Sequence, residues 1–334
     1  MNIKEFAKLT GYSTATVSRV LNGKNCVSEE AKNKILELQK KYNFYINKIG
    51  RSLSTKKTYT IGITLPHFKL PSFEDIFFPT IIRGMEEILS NNGYDLLLLT
   101  SYERQKKEND YIRLFLEKSI DGLILLSIEK EDRGFIELEK TDFPYVAIGR
   151  VLDIHKGSYV DTDNVKRTYI AVEHFIKEHK IKKIGYIGGE LKYFPYIDNF
   201  NGYKLALLNN GIEINQDYIF TVPQDIKEGY NAIKKLMKEK IEAIVVYGNL
   251  IVSGVIEYLK EKQIKVPDEI KIILISENLP FYLPGVEFTR VEQDITGLGE
   301  MAVRILFEQI KTGKKISKQI VLQPKFVKGN SCGC

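Results

Sequence analysis

From Tyr59 onward the sequence alternates short apolar runs with longer amphipathic stretches, and it does so twice. The first series places strands at 60–65, 95–100, 122–126 and 145–148, with helices at 79–91 and 106–118. The second places strands at 184–187, 218–222, 243–247 and 270–275, with helices at 202–209, 227–238 and 251–262. Continuously apolar strands separated by helices predict an α/β fold of doubly wound parallel sheets covered on both faces. Two series predict two lobes. Ligands of such sheets bind beyond the carboxyl ends of the strands, so two facing lobes make a cleft. A chain of 334 residues accommodates two or three domains.

The first sixty residues follow another pattern. Ser13 is placed to cap a short helix that Asn22-Gly23 ends. Val17, Val20 and Leu21 share one face of it, which leaves Thr14, Ala15, Ser18 and Arg19 on the other. Before it, Ile3, Phe6, Ala7 and Leu9 recur at helical spacing, and Gly11-Tyr12 makes a tight turn. After it, Ser28 caps a third helix carrying Ala31, Ile35, Leu38 and Tyr42. This is the pattern of a helix-turn-helix whose second helix enters the DNA major groove. Two amphipathic helices alone would suit a plain core equally well, and charge decides between the readings. The first 60 residues hold 12 Lys and Arg against 4 Asp and Glu, while the other 274 hold 37 against 39. The excess positive charge is thus confined to the helix-turn-helix, as phosphate neutralisation requires.

The opening stretch, and above all Ser-Thr-Ala-Thr-Val-Ser-Arg-Val-Leu-Asn at 13–22, resembles the lactose/galactose-repressor family of transcription factors, with segments matching in order to about Cys332. The resemblance implies a three-helix headpiece over 1–46, a hinge helix and linker over 47–58, and an effector-binding and dimerisation core over 59–334. It implies that this core is like a type I periplasmic sugar-binding protein. One lobe then spans about 59–160 and 293–322, the other about 163–290 and 325–334, with crossings near 159–163, 290–293 and 323–325. Thr14, Ala15 and Arg19 take the positions from which the family reads base edges, and Thr16, Ser18, Asn22 and Arg51 complete the expected DNA-contacting set. An Arg donating two hydrogen bonds suits guanine, and a Thr or Ala methyl suits thymine.

In the hinge, Leu53 stands where the family inserts a leucine wedge into the minor groove, which unstacks and bends the duplex. Gly50 replaces a usual alanine, and Ile46 an often-found proline. A glycine costs about 1 kcal/mol in a helix relative to alanine.

By the same resemblance, Phe77, Phe78, Ser101, Arg150, Asn199, Asn249 and Ser276 line the cleft. Asn199 stands for a common arginine, Gly248-Asn249 for an Asn-Asp pair and Ser276 for an aspartate, so a cleft poorer in charge is expected there. The run Ile148-Gly149-Arg150, with Tyr159 to Asn164, is most similar to maltose-type repressors and favours a saccharide effector: a mono- or disaccharide or a sugar phosphate.

The implied function is a transcriptional regulator, a repressor of carbohydrate-utilisation genes acting as a homodimer on a pseudo-palindromic operator. The rival is a soluble sugar receptor with no direct role at DNA. That rival calls for an export signal and no basic headpiece, whereas the first residues are polar and helical, and the cytoplasm is the expected location. No apolar run of 18 residues is present, so no membrane role is expected. Enzyme motifs of the Gly-x-Ser-x-Gly, His-Glu-x-x-His and phosphate-loop kinds are missing, and the glycines of 185–189 have the wrong spacing for a nucleotide loop. No cofactor is expected. Cys26, Cys332 and Cys334 make no disulfide framework, and a lone Cys-Gly-Cys offers too few ligands for a metal. His67, His155, His174 and His179 are scattered along the chain and are expected in surface or structural roles.

Overall fold

The structure is a computed structural model that describes residues 1–21, 27–45, 52, 55, 57–64, 76–99, 113–114, 116–126, 133–150, 157–277 and 281–334. Asn22, Cys26, Ile46, Gly50, Arg51, Leu53 and Ser101 lie outside the described residues, as does most of the helix expected at 106–118.

Three helices form the headpiece: α1 (Ile3–Thr10), α2 (Thr14–Leu21) and α3 (Glu29–Tyr42). Asn2 and Glu5 cap α1 reciprocally, each side chain taking the other's backbone N–H, and Gly11 ends it in the left-handed region at φ 74°. Ser13 caps α2 by accepting the Thr16 N–H at 3.1 Å, and Ser28 accepts from Ala31 at the start of α3. The small core holds Phe6, Ala7, Val17, Val20, Ile35 and Phe44. Two expectations fail here. Leu9 and Tyr42 are exposed, and their places are taken by Thr10 and by Phe44, whose ring stacks on Phe6 at 4.1 Å. For Phe44 the reason is the left-handed turn at Asn43, which brings the chain back over α1 two residues past Tyr42.

Two six-stranded sheets follow. The first contains β1 (Thr60–Thr64), β2 (Asp95–Leu99), β3 (Gly122–Leu126), β4 (Tyr145–Ile148), β5 (Ser158–Thr162) and β11 (Gln319–Leu322), ordered β11-β5-β4-β3-β1-β2 and parallel throughout. The second contains β6 (Ile184–Gly189), β7 (Ile219–Val222), β8 (Ala243–Tyr247), β9 (Lys271–Ile275), β10 (Thr289–Glu292) and β12 (Lys325–Val327). Its order is β12-β10-β9-β8-β6-β7, with β12 alone antiparallel.

Helices α4 (Phe77–Asn91), α5 (Arg133–Glu139) and α10 (Ile295–Thr312) belong to the first lobe. The second holds α6 (Asn164–His179), α7 (Phe194–Asn209), α8 (Ile226–Leu236) and α9 (Asn249–Glu261). Side-chain alternation explains how both faces of a sheet become core. In β3, Ile124 and Leu126 pack with α4 and α10, while Leu123 and Leu125 pack with Phe135 and Tyr145 on the other side. The chain passes between lobes at 163, at 293–294 and at 323–324. Every crossing therefore sits at the rim where the strands' carboxyl ends meet. Among the described residues, no helix is long and apolar enough to cross a membrane.

Candidate functional site

Helix α2 offers a polar, solvent-facing surface because its apolar side chains point inward. Val17 and Val20 are buried, whereas Thr14, Ala15 and Arg19 are exposed. Thr16 and Ser18 are half-buried, and the Thr16 hydroxyl lies 3.0 Å from that of Ser13, which ties it to the cap. Lys4, Lys8, Lys32, Lys34, Lys40 and Lys41 are exposed on the same small domain. This domain can neutralise phosphates and present an edge of small polar groups with one guanidinium.

The second site is a cavity of about 130 Å³ between the lobes. The first lobe contributes Phe77 and Phe78 from the start of α4, Leu126, Ile148, Gly149 and Arg150, and Asp161. The second contributes Tyr193 to Tyr196 at the start of α7, Gln224, Tyr247 to Asn249, Ile275 and Glu277. Strands β3, β4, β5, β8 and β9 all end here, as the crevice rule for open α/β sheets requires. Phe77 and Phe78 meet edge to face with centroids 5.3 Å apart, and Phe78 is buried while Phe77 stays half-exposed.

Arg150 joins the lobes. Its backbone N–H donates to Asp161 Oδ2 at 2.9 Å, its Nη2 donates to Asp198 Oδ1 of α7 at 2.9 Å, and its guanidinium lies 5.4 Å from the Phe194 ring centre. Among the described residues, its Nε is buried without a hydrogen-bond partner, and so is Gln224 Nε2. Two donors of cavity-lining residues thus carry a desolvation cost. Deeper in the second lobe, the fully buried Arg167 donates from Nε to the Val291 carbonyl at 2.9 Å and from Nη2 to Glu277 Oε1 at 2.6 Å, beneath the Tyr247 ring. Burial pushes the Asp161 carboxyl up to about 6 against the N–H bonds from Thr162 and Arg150, and the nearby Asp198 adds to the rise.

Asn199 and Ser276 do not line this cavity. Asn199 is buried inside the second lobe, accepting from the Thr168 hydroxyl at 2.6 Å and donating to the Pro195 carbonyl at 2.7 Å. Ser276 is buried too, and its hydroxyl donates to the Glu277 carbonyl at 3.2 Å. In both places the neighbour one residue away carries the charge: Asp198 grips Arg150 and Glu277 grips Arg167. At these two positions the neighbour supplies the charge, whereas Asn249 lines the cavity itself. One step along a helix turns a side chain by about 100°, and one step along extended backbone turns it to the opposite face. Asp161, Arg167, Gln224 and the aromatic run Tyr193-Phe194 were missed, because a buried arginine inside a helix and side chains just past strand ends give no periodic signal in the sequence.

Elsewhere in the second lobe, His174, His179, Cys332 and Cys334 bring their ligand atoms within 4.8 Å of one another. The sequence, which places the histidines 153 to 160 residues before the cysteines, offered no sign of this.

Residues 59–322 match the family model described as periplasmic binding proteins and sugar binding domain of LacI family, and residues 2–47 match that of bacterial regulatory proteins, lacI family. The HTH-type transcriptional regulator RegA of Clostridium acetobutylicum is 31% identical over 335 residues, covering 99% of both chains. The HTH-type transcriptional regulator MalR of Streptococcus pneumoniae is 32% identical over 270 residues, which is 80% of this chain and 82% of that protein. The fold is similar to that of the lac repressor dimer bound to operator and the anti-inducer ONPF, with a TM-score of 0.82 at 18% identity and 99% of both chains covered. It is also similar to the transcriptional regulator CelR-cellobiose complex, with a TM-score of 0.73 at 23% identity and the same coverage. The chain belongs to the LacI family of bacterial regulatory proteins, and is a DNA-binding transcriptional regulator with a sugar-binding domain rather than an enzyme.

Proposed function

We propose that the protein is a cytoplasmic repressor of carbohydrate-utilisation genes, binding a pseudo-palindromic operator as a homodimer and answering to an uncharged saccharide held between its lobes. Thr14, Ala15 and Arg19 read base edges, with Thr16, Ser18, Asn22 and Arg51 around them and Leu53 as the minor-groove wedge. Phe77, Arg150, Gln224 and Asn249 contact the effector. The observation that carries the effector reading is an interlobe cavity walled by Phe77, Tyr193, Phe194, Tyr196 and Tyr247 and edged by the polar side chains of Arg150, Gln224 and Asn249. Aromatic faces pack on the apolar face of a sugar ring, and the polar side chains at the cavity edge meet its hydroxyls.

Charge narrows the class further. Among the described residues, the two cavity arginines are engaged by carboxylates and Asp161 adds a third acid, which disfavours a sugar phosphate. The favoured ligand is neutral.

Such a ligand acts by population shift. It contacts both lobes at once, so it binds the closed arrangement more tightly and moves the equilibrium by that difference alone. The rotation of the first lobes within a dimer then sets whether the paired hinges fold on DNA. The test is selection of operators from random duplex DNA with the purified protein, alone and with a panel of neutral saccharides and sugar phosphates. A palindrome whose enrichment responds to a neutral saccharide is the expected result. Response to phosphates alone would reverse the charge argument, and no enriched sequence would overturn the operator reading.

A further inference from the structure

The four residues gathered in the second lobe form a soft-donor set. Cys334 Sγ lies 3.2 Å from His174 Nε2 and 3.3 Å from His179 Nε2, and Cys332 completes the group within the same 4.8 Å. A tetrahedral zinc ion with thiolate bonds of about 2.3 Å and imidazole bonds of about 2.0–2.1 Å holds its ligand atoms roughly 3.4–3.8 Å apart. The two Cys334 distances are close to that scale, and the whole group lies within about 1 Å of it.

Local backbone explains the convergence. His174 and His179 close α6, whose last turn is capped by Lys180 in the left-handed region, its N–H bonded to the Phe175 carbonyl. The two rings stand with centroids 5.2 Å apart. The cysteines arrive from a segment fastened to the sheet. The Ser331 hydroxyl donates to the Ile272 carbonyl at 2.6 Å and accepts the Thr289 N–H at 2.8 Å, while the Ile272 N–H donates to the Ser331 carbonyl at 2.8 Å. Between the cysteines, Gly333 takes φ +84°, a conformation that suits glycine. Cys332 is fully buried and its Sγ lies 3.1 Å from the Thr289 hydroxyl, in the position of an outer-shell partner. Cys334 is exposed, which gives an ion a way in.

We propose that His174, His179, Cys332 and Cys334 bind one zinc ion in a closed tetrahedral site that clasps Gly329–Cys334 to α6. Two thiolates and two imidazoles in tetrahedral array suit zinc among the common divalent ions. Four protein ligands leave no open position, so the ion is structural and not catalytic. On binding, each thiol releases its proton to solvent and its sulfur lone pair forms the metal bond, while the imidazoles bind neutral. None of the four residues lines the interlobe cavity. Asn164, which does, begins the same helix about 22 Å away from its His179 end. The clasp thus braces the far end of a helix whose start touches the effector site, and it stands independently of the effector reading.

The test uses the full chain, purified under reductant, stripped with a chelator and titrated with zinc against a chromophoric competitor, with cobalt as a spectroscopic probe. Expected are one zinc per chain, intense visible bands of tetrahedral cobalt with a thiolate charge-transfer band, and a higher melting temperature with zinc. Cys334→Ser, at an exposed position, is expected to weaken zinc binding on the order of 100-fold and to reduce the charge-transfer band. His179→Gln keeps that band and shifts the visible ones, and circular dichroism of the stripped variants checks their fold. Equal zinc affinity in wild type and the Cys334→Ser variant overturns the proposal, as does an octahedral cobalt spectrum or a Cys332–Cys334 disulfide that persists under reductant and leaves zinc unbound.

Discussion

Arg19 is the one guanidinium in α2, and it stands exposed between half-buried Ser18 and buried Val20. Arg19→Ala is expected to cost about 1–3 kcal/mol at the operator and to relax base preference at one position per half-site. Fluorescence anisotropy on the operator and on single-base variants checks this; an unchanged preference would remove Arg19 as a reader. At the cleft, Asp161 has its pKa raised from 3.8 to about 6 by burial. The folded chain therefore binds more protons than the unfolded chain between those values, so its stability falls as pH rises through that window. Relative to an Asp161→Asn variant, which lacks this titration, the wild type should lose on the order of 2 kcal/mol from pH about 4 to about 6. Melting temperatures of both proteins across that range measure it, and a constant gap would mean that Asp161 stays ionised. The residue scale is also where sequence reading slipped by one. Asn199 and Ser276 hold the predicted positions, yet Asp198 and Glu277 face the arginines. Which of two neighbours faces a cavity depends on where helix and strand begin, and a motif match does not carry that phase.

Helices α8 and α9 lie so close that a Cβ on Gly229 would meet the Ile251 backbone and one on Gly254 the Ile226 backbone. Gly254→Ala is expected to destabilise the second lobe by about 1–3 kcal/mol through overpacking. Thermal unfolding of the variant checks it, and an unchanged midpoint would show that the pair has slack. Elements of this kind were read from the sequence in uneven measure. Strands β3, β4, β8 and β9 are nearly continuous apolar runs because both their faces are buried, and their limits were legible to within a residue. Edge strands β11 and β12 are short and largely unburied and were seen only as crossings. Helix α6 went unassigned because its inner face carries buried Asn164, Arg167 and Thr168 among the apolar residues. Helix α7 begins at Phe194 rather than 202 for the same reason: buried Asp198 and Asn199 interrupt its stripe.

In the whole molecule, Arg150 is a latch between lobes, tied by backbone to Asp161 and by side chain to Asp198. Asp198→Asn is expected to populate a more open arrangement, with a larger radius of gyration by small-angle scattering and effector affinity lower by roughly tenfold. A radius and affinity equal to wild type would mean that the pair does not hold the lobes. Operator affinity should also fall steeply with salt, since the basic excess is concentrated in the headpiece. Lobe number, parallel sheets, the helix-turn-helix and its outward face were all legible in the amino-acid order, because each rests on local periodicity and on charge counted along the chain. The carboxylates that engage the cleft arginines, the two unsatisfied donors and the meeting of His174 and His179 with Cys332 and Cys334 were decided by tertiary structure. Those contacts join residues up to 160 positions apart, and they form only once sheet order and helix phase bring distant side chains to one point.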